Sequence, residues 1–419
     1  MLSITFPPKN ISCEIALPLS KSIINRMLVI SHLSGGQVNR DLISEASDVL
    51  AMQGLLLKIS HNTNDETATE INVGNAGTVM RFLLAVLATT PGKWLLTGSE
   101  RMQQRPVKPL ANALQQLGAS ITFTKSEGFP PILINGNRNL KGGNIVLDAG
   151  ISSQFISALM MVGPFLKGGL SIDLVGEIIS KPYIEMTKAL MEKSGATVNF
   201  VGKNLRIDEG CYLGFDLPLM LEPDWSAAAF WFSIVALATD ARVMLPGLTP
   251  KSVQGDAVLP TIYEHLGVKS VFTDEGLEIS KAGLPNVKNF NFDFTDCPDL
   301  AQAVIVACAA LQISGIFSGL KTLRIKETDR ITALQTELAK LGYNVDVVGD
   351  QIVLNGSIYE VVGKQGFPVI KCYDDHRMAM SFAPLSLINP KICIDEPEVV
   401  RKSYPDFWEH LSKAGFLLK

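Results

Sequence analysis

The chain has 419 residues, of which 47% are hydrophobic and 19% charged, with a formal net charge of −4. That length accommodates two domains with separate cores, and the weak negative charge excludes the broad basic field that holds nucleic acid or an anionic membrane. The six cysteines (Cys13, Cys211, Cys297, Cys308, Cys372 and Cys393) show no CxxC spacing, and the five histidines form no HExxH or HxxxH pair, so neither a disulfide framework nor a zinc site is expected.

The first residues, MLSITFPPKNISCEIALP, lack the charged n-region and unbroken apolar core of a signal peptide. The most apolar run, AAAFWFSIVALA, is shorter than the roughly 20 residues that span a bilayer, and a cytoplasmic protein is expected. IALPLS (15–20) forms a turn-rich, proline-bearing junction. SKSIINRMLVISHL after it has helical spacing, with Lys21 and Arg26 flanking the first turns. SDVLAMQGLLLKIS (47–60) is a second helix, followed by the polar stretch HNTNDETATE (61–70). GNAGT (74–78) is a glycine-rich turn that lets backbone N–H groups approach an anion, and Arg81 closes it ahead of an apolar helix.

RMQQRPVKP sets Arg101 and Arg105 before LANALQQL, and SSQF places Ser152, Ser153 and Gln154 where a loop enters an apolar helix. SKPYI supplies Ser180 and Tyr183, and MLEPDW (220–225) is a second junction. Asp299, in CPDL, fits the N-cap of the helix AQAVIVACAAL. RIKETDR (324–330) runs into ITALQTELAKLG with Arg324, Lys326 and Arg330 around the helix start. Lys326 and Arg330 are four apart and expected on one face, beside Glu327. DDHRMAM and RKSYPDF add Arg377 and Lys402.

A helix, a glycine and a β-rich run recur in ANALQQLGASITFT, MTKALMEKSGATVNFV, PTIYEHLGVKSVFT, LQTELAKLGYNVDVV and FWEHLSKAGFLLK. The glycines, Gly118, Gly195, Gly267, Gly342 and Gly415, are separated by 77, 72, 75 and 73 residues. Each is the expected left-handed cap, and the period predicts an internal αβ repeat. A sixth unit starts near SDVLAMQGLLLKIS, shortened because HNTNDETATE replaces the glycine and strand. Six units divide into two groups of three, and the two junctions imply that the chain crosses between domains twice. One domain carries Lys21, Arg26, Arg81 and Arg105; the other carries Lys326, Arg330, Arg377 and Lys402.

Cations at helix amino ends oppose the partial positive charge already there, by a few tenths of a kcal/mol or more. Four such clusters imply a negative ligand, because free N–H groups and cations together make an anion site. A cleft lined by both sets is expected to close on that anion.

Nine separated motifs, SKSxxNR, GNAGTxMR, ERMxxRP, SSQF, SKPYI, EPDWS, CPD, KETDR and DDHRMAM, stand in the order found in the enolpyruvyl transferases, which this chain resembles from LPLSKSIINR to RKSYPDFW. The resemblance implies a two-domain inside-out α/β barrel of βαβαββ units, three per domain, with helices inside and sheets toward solvent. Residues 1–20 plus 223–419 would carry phosphoenolpyruvate and catalytic residues, and 21–222 would be an inserted domain carrying shikimate 3-phosphate-binding residues. The implied reaction joins the enolpyruvyl group of phosphoenolpyruvate to the 5-hydroxyl of shikimate 3-phosphate and releases phosphate. By resemblance, Lys21, Ser22, Arg26, Ser152, Ser153, Gln154, Ser180, Tyr183, Asp299 and Lys326 contact shikimate 3-phosphate. Lys21, Gly77, Arg105, Gln154, Arg330, Arg377 and Lys402 contact phosphoenolpyruvate. Glu327 is the implied acid toward the methylene carbon, and either Asp299 or Lys326 takes the hydroxyl proton. No cofactor or metal is implied, the protein is expected to be a monomer, and retention of Gly77 implies sensitivity to glyphosate. Phe82 stands where many members have Pro, Asp296 and Cys297 where some have His and Ile, and Thr322 where the family has Asn.

Two other readings start from the same residues. The related transferase acting on UDP-N-acetylglucosamine carries a reactive Cys before its RP motif, whereas TGSERMQQRP has none. A catalytically silent anion-binding scaffold would not need Lys21, Asp299, Lys326 and Glu327 together.

Overall fold

Gly118, Gly195, Gly267, Gly342 and Gly415 have φ of 94, 90, 83, 90 and 100°, so each of the five expected caps is left-handed. A Cβ is disfavoured there, and the cap turns each helix directly into a strand. These joints recur because the chain repeats one βαβαββ unit. The computed structural model describes residues 1–7, 10–35, 44–62, 67–213, 221–359 and 367–419. Residues 63–66 of the HNTNDETATE stretch and Met220 of the second junction lie outside these.

The chain opens with β1 (Leu2–Thr5) and β2 (Ile11–Glu14), then α1 (Lys21–Leu33) and α2 (Ser47–Ser60). One repeat follows as β3 (Thr69–Asn72), α3 (Gly77–Thr89), β4 (Gly92–Thr97), α4 (Lys108–Gln116), β5 (Ser120–Phe123) and β6 (Ile132–Gly136). The next is β7 (Lys141–Asp148), α5 (Ser153–Val162), β8 (Lys167–Val175), α6 (Lys181–Lys193), β9 (Val198–Val201) and β10 (Asn204–Ile207). Their sheets share one plan, β3-β4-β6-β5 and β7-β8-β10-β9, with the first pair parallel and the others antiparallel. The helices α1 and α2 stand where a further helix pair is expected. His61, after α2, has φ −95° instead of a left-handed glycine.

Then come α7 (Trp225–Leu237), β11 (Ala241–Pro246), α8 (Leu259–Glu264), β12 (Val268–Phe272) and β13 (Gly276–Lys281). Their sheet, β12-β13-β11-β2, takes its parallel strand from near the N-terminus, with Cys13 opposite Val243. Thus β2 and α7 belong to one repeat that residues 21–221 interrupt. A regular repeat follows: β14 (Phe292–Asp293), α9 (Ala301–Ala310), β15 (Ser314–Ser318), α10 (Arg330–Lys340), β16 (Tyr343–Val348) and β17 (Gln351–Ile358). The last has β18 (Val369–Ile370), α11 (His376–Phe382), β19 (Ile392–Ile394), α12 (Phe407–Lys413) and β20 (Leu417–Leu418). Its fourth strand is β1, with Leu2 opposite Ile394 and Ile4 opposite Leu418.

The chain accordingly forms two compact lobes, Met1–Ser20 with Glu222–Lys419, and the inserted Lys21–Leu221. Within the first lobe the helices are the core: all ten residues of α9 are buried, and only Ser226 of α7 is not. Asp224 starts α7 by accepting from the N–H groups of Ser226 and Ala227, and burial of each large apolar side chain contributes roughly 1.5–3 kcal/mol. Strands alternate instead, as in β10, where Leu205 and Ile207 point inward and Asn204 and Arg206 outward.

Candidate functional site

In the first lobe RIKETDR forms the joint between β15 and α10. A 3-10 turn, Lys321–Ile325, ends at Lys326, and α10 begins at Arg330 with Asp329 as its N-cap. Lys326 therefore precedes the helix, which corrects the expectation that it shares a helical face with Arg330; the two meet through Asp299. Arg324 turns away and pairs with Asp329 and Asp350 at 3.1 and 2.7 Å.

Asp299 sits within the 3-10 turn Pro298–Leu300, and Leu300 is the residue before α9, so the N-cap reading of Asp299 is also corrected. Its Oδ1 lies 3.1 Å from Arg330 Nη1 and 3.7 Å from Lys326, and its Oδ2 lies 3.2 Å from Arg377 Nη2. Arg377 Nη1 also donates to the Asp299 carbonyl at 2.9 Å. Glu327 accepts from Arg330 at 3.1 Å and pairs with Lys402 at 2.9 Å. Four cations thus face the carboxylates of Asp299, Glu327 and Asp375, with Arg330 only 2% exposed. Burial alone raises the pKa of Asp299, but Arg377, Lys326 and Arg330 together pull it well below the usual carboxylate range, against opposition from Glu327. For Arg330 burial works against the charge, and Asp375, Glu327 and Asp299 more than offset it. Thr322, one of the departures, is buried with its Oγ1 unpartnered among the described residues.

Asp375 caps α11 by accepting from Arg377 N at 2.9 Å, and His376 beside it is buried with its Nδ1 3.8 Å from Asp375. Just before it, Tyr373 and Asp374 have φ of 58 and 55°. For residues with a Cβ that conformation costs roughly 1–2 kcal/mol each.

In the inserted lobe Lys21 is the first residue of α1, and its Nζ is 2.9 Å from Asp48 on α2. One turn further, the buried Arg26 donates to Ser22 O at 2.8 Å, Thr187 Oγ1 at 2.7 Å, Ser157 Oγ at 3.2 Å and Tyr183 O at 3.4 Å. Phe82 and Tyr183 cover its guanidinium at 5.3 and 5.8 Å, so the Pro-to-Phe departure adds an aromatic face to this cation. Burial brings Arg26 down to about 10.

Gly77 opens α3, and Arg81 lies inside that helix, not ahead of it, donating to Gly77 O at 3.0 Å. A Cβ at Gly77 would lie 2.7 Å from Arg105 Nη2 and 2.8 Å from Arg81 Nη1, so the bare backbone is what lets both guanidiniums converge there. Arg105 is buried where a 3-10 turn, Met102–Gln104, precedes α4. Ser152 caps α5 and accepts from Gln154 N at 3.3 Å, Ser153 is buried beside it, and the Gln154 amide donates to Thr78 at 3.1 Å. Ser180, with φ 58°, precedes α6, and its carbonyl accepts from Tyr183 N at 3.0 Å.

Two acids at these sites carry no cluster signal in the sequence: Asp48, which pairs with Lys21, and Asp256, which accepts from Ser226. Asp48 has the sequence signature of an ordinary acid in a first helical turn. Asp256 lies in SVQGDAV, which offers no periodic signal. It is buried under α7, where Ser226 donates to it, and burial, then the Asp299 charge, pushes it up to about 7.

Comparison with known proteins adds ancestry to this geometry. The family described as EPSP synthase (3-phosphoshikimate 1-carboxyvinyltransferase) matches residues 6–411. A 3-phosphoshikimate 1-carboxyvinyltransferase of Bacteroides fragilis is 46% identical over 413 residues, 98% of this chain and 97% of that one. Another, from a Sulfurovum species, is 34% identical over 435 residues, 99% of this chain and 100% of its own. The solved EPSP synthase of Acinetobacter baumannii superposes with a TM-score of 0.76 at 23% identity, covering 100% of both chains, a likeness of fold. The chain belongs to the EPSP synthase family.

Proposed function

We propose that the chain carries out its family's reaction with the side chains described above: the enolpyruvyl group of phosphoenolpyruvate moves to the 5-hydroxyl of shikimate 3-phosphate, and phosphate leaves. The product feeds chorismate and aromatic amino acid synthesis. The observation that carries the reading is the convergence of Lys326, Arg330, Arg377 and Lys402 on Asp299 and Glu327, with every ion pair within 3.7 Å. Cations held this way are preorganised for phosphate and carboxylate groups.

In this reading Arg330, Arg377, Lys402, Arg105 and the Gly77 backbone serve phosphoenolpyruvate. Ser22, Arg26, Ser152, Ser153, Ser180 and Tyr183 serve shikimate 3-phosphate, while Lys21 and Gln154 serve both. The 5-hydroxyl oxygen bonds to C2 of phosphoenolpyruvate while C3 takes a proton from Glu327. The hydroxyl proton passes to Asp299 or Lys326, and the tetrahedral adduct then gives up a C3 proton as its C2–O bond to phosphate breaks, which restores the C=C bond and releases phosphate. An anion that draws Lys402 toward itself leaves Glu327 with one positive neighbour fewer, the condition in which a carboxyl takes up and passes on a proton. Six free cysteines support a cytoplasmic site of action, and a monomer completes the reading. No described helix is long and apolar enough to cross a membrane.

The test is phosphate release from phosphoenolpyruvate with shikimate 3-phosphate and, separately, with UDP-N-acetylglucosamine. Release with shikimate 3-phosphate alone, lost in Lys21→Ala, supports acceptor and site together. Release only with the nucleotide sugar overturns the acceptor, and none with either revives the silent scaffold. Light scattering at working concentration checks the monomer.

A further inference from the structure

Glu337 is fully buried near the end of α10, away from the reacting groups, and its carboxylate is fully engaged. Oε1 accepts from the Tyr373 hydroxyl at 2.7 Å, while Oε2 accepts from Lys371 N at 3.0 Å and pairs with Lys340. A carboxylate so deep is costly unless its partners need it. Two of these three partners, Lys371 and Tyr373, belong to the turn Lys371–Asp374, whose Tyr373 and Asp374 stand in the left-handed region. Cys372 N and Asp374 N donate from the other side of the turn to Asp395 and Glu396, at 2.8 and 3.2 Å.

Glu337 lies seven residues after Arg330, two helical turns along the same face of α10. One helix therefore grips a single segment twice. Glu337 holds Lys371 and Tyr373, and Arg330 holds Asp375 through Nε at 2.6 Å and Nη2 at 3.4 Å. Asp375 in turn caps Arg377 N. A left-handed pair without glycine persists only where its surroundings over-determine it, and the buried Glu337 supplies that constraint.

We propose that Glu337 and the Tyr373 hydroxyl are positioning groups for the reaction: they lock the Lys371–Asp374 turn so that Asp375 fixes the direction of Arg330 and the start of the helix bearing Arg377. The inference rests on the assignment of phosphoenolpyruvate to Arg330 and Arg377. Neither Glu337 nor Tyr373 touches substrate in it.

Tyr373→Phe removes one hydroxyl, and Glu337→Gln keeps the shape while removing the charge. Each is compared with wild type for KM and kcat toward each substrate, for melting temperature, and for amide hydrogen exchange over 371–378. The expected result is faster exchange confined to that segment. KM for phosphoenolpyruvate should rise roughly tenfold or more, since small misplacements of binding groups are expensive, while KM for shikimate 3-phosphate holds. Adding Tyr373→Phe to Arg330→Lys should then cost little more, because residues acting through one another are not additive. Unchanged exchange overturns the lock, as does a fall in melting temperature with both KM values unmoved. If Arg330→Lys raises the phosphoenolpyruvate KM and Tyr373→Phe does not, the inference fails and the assignment stands. If Arg330→Lys leaves that KM flat, the assignment itself fails and takes the inference with it.

Discussion

Arg330 and Asp375 form a buried ion pair, Nε to Oδ2 at 2.6 Å, with side chains 2% and 0% exposed. Removing one member of such a pair strands the other's charge. Arg330→Ala should therefore destabilise the protein by about 3–5 kcal/mol, read as a lower urea midpoint at unchanged slope. Asp375→Leu should do comparable damage from the other side. The double variant should lose less than the sum, because neither charge is then left alone.

Gly77→Ala should spare the fold and harm phosphoenolpyruvate binding. The added methyl meets the tips of Arg105 and Arg81, which are flexible ends and can move, but only by leaving the point on which they converge. A rise of about tenfold in KM for phosphoenolpyruvate, matching roughly 1.4 kcal/mol, with a melting temperature near wild type, is the expected pattern. Equal loss for both substrates would mean a wider disturbance of α3.

Asp256 and Asp299 give opposite pH dependences. Asp256 is pushed from 3.8 up to about 7, chiefly by burial and the Asp299 charge. Between about pH 4 and 7 the folded protein holds a proton that the unfolded chain has released, so this group's contribution falls as pH rises through that window. Asp256→Asn should flatten that fall and raise stability above pH 7 by about 2–4 kcal/mol. Asp299 is depressed instead, so its contribution is present above the usual carboxylate range and is lost as pH falls through its folded value. Urea midpoints from about pH 2 to about pH 8, taken in about half-unit steps, separate the two: the Asp256 fall lies above about pH 4 and the Asp299 loss below it.

Glu327→Gln tests the acid. The amide oxygen can still accept from Arg330 or Lys402, but the side chain has no proton of suitable acidity to give. The expected loss in kcat is about 10²–10⁴-fold, seen in single-turnover phosphate release. Unchanged turnover would remove Glu327 from the proton path.

The repeat was legible because five of the helices end at a left-handed glycine, a local need that leaves a local mark at Gly118, Gly195, Gly267, Gly342 and Gly415. The cations were legible for a similar reason, standing at helix starts where the backbone disfavours them. Non-local pairing leaves no such mark. Nothing near Ile11–Glu14 indicates that its partner is Ala241–Met244, and nothing near Leu2 points to Ile394. Asp48, Asp256 and Glu337 escaped because an acid on a helix or in a turn looks alike whether it faces water or a partner within the fold. Only packing distinguishes Glu337, whose spacing from Arg330 reads as any two polar residues on α10.

The placement of β1 and β2 also orders events during synthesis. These strands are made well before their partners: β2 waits for β11, and β1 for β19 and β20. The described strands of residues 21–221, β3 to β10, pair only with one another and have their partners long before that. The inserted lobe is therefore free to fold while β1 and β2 stay unpaired, and the lobe that holds them is completed only once β19 and β20 have been made.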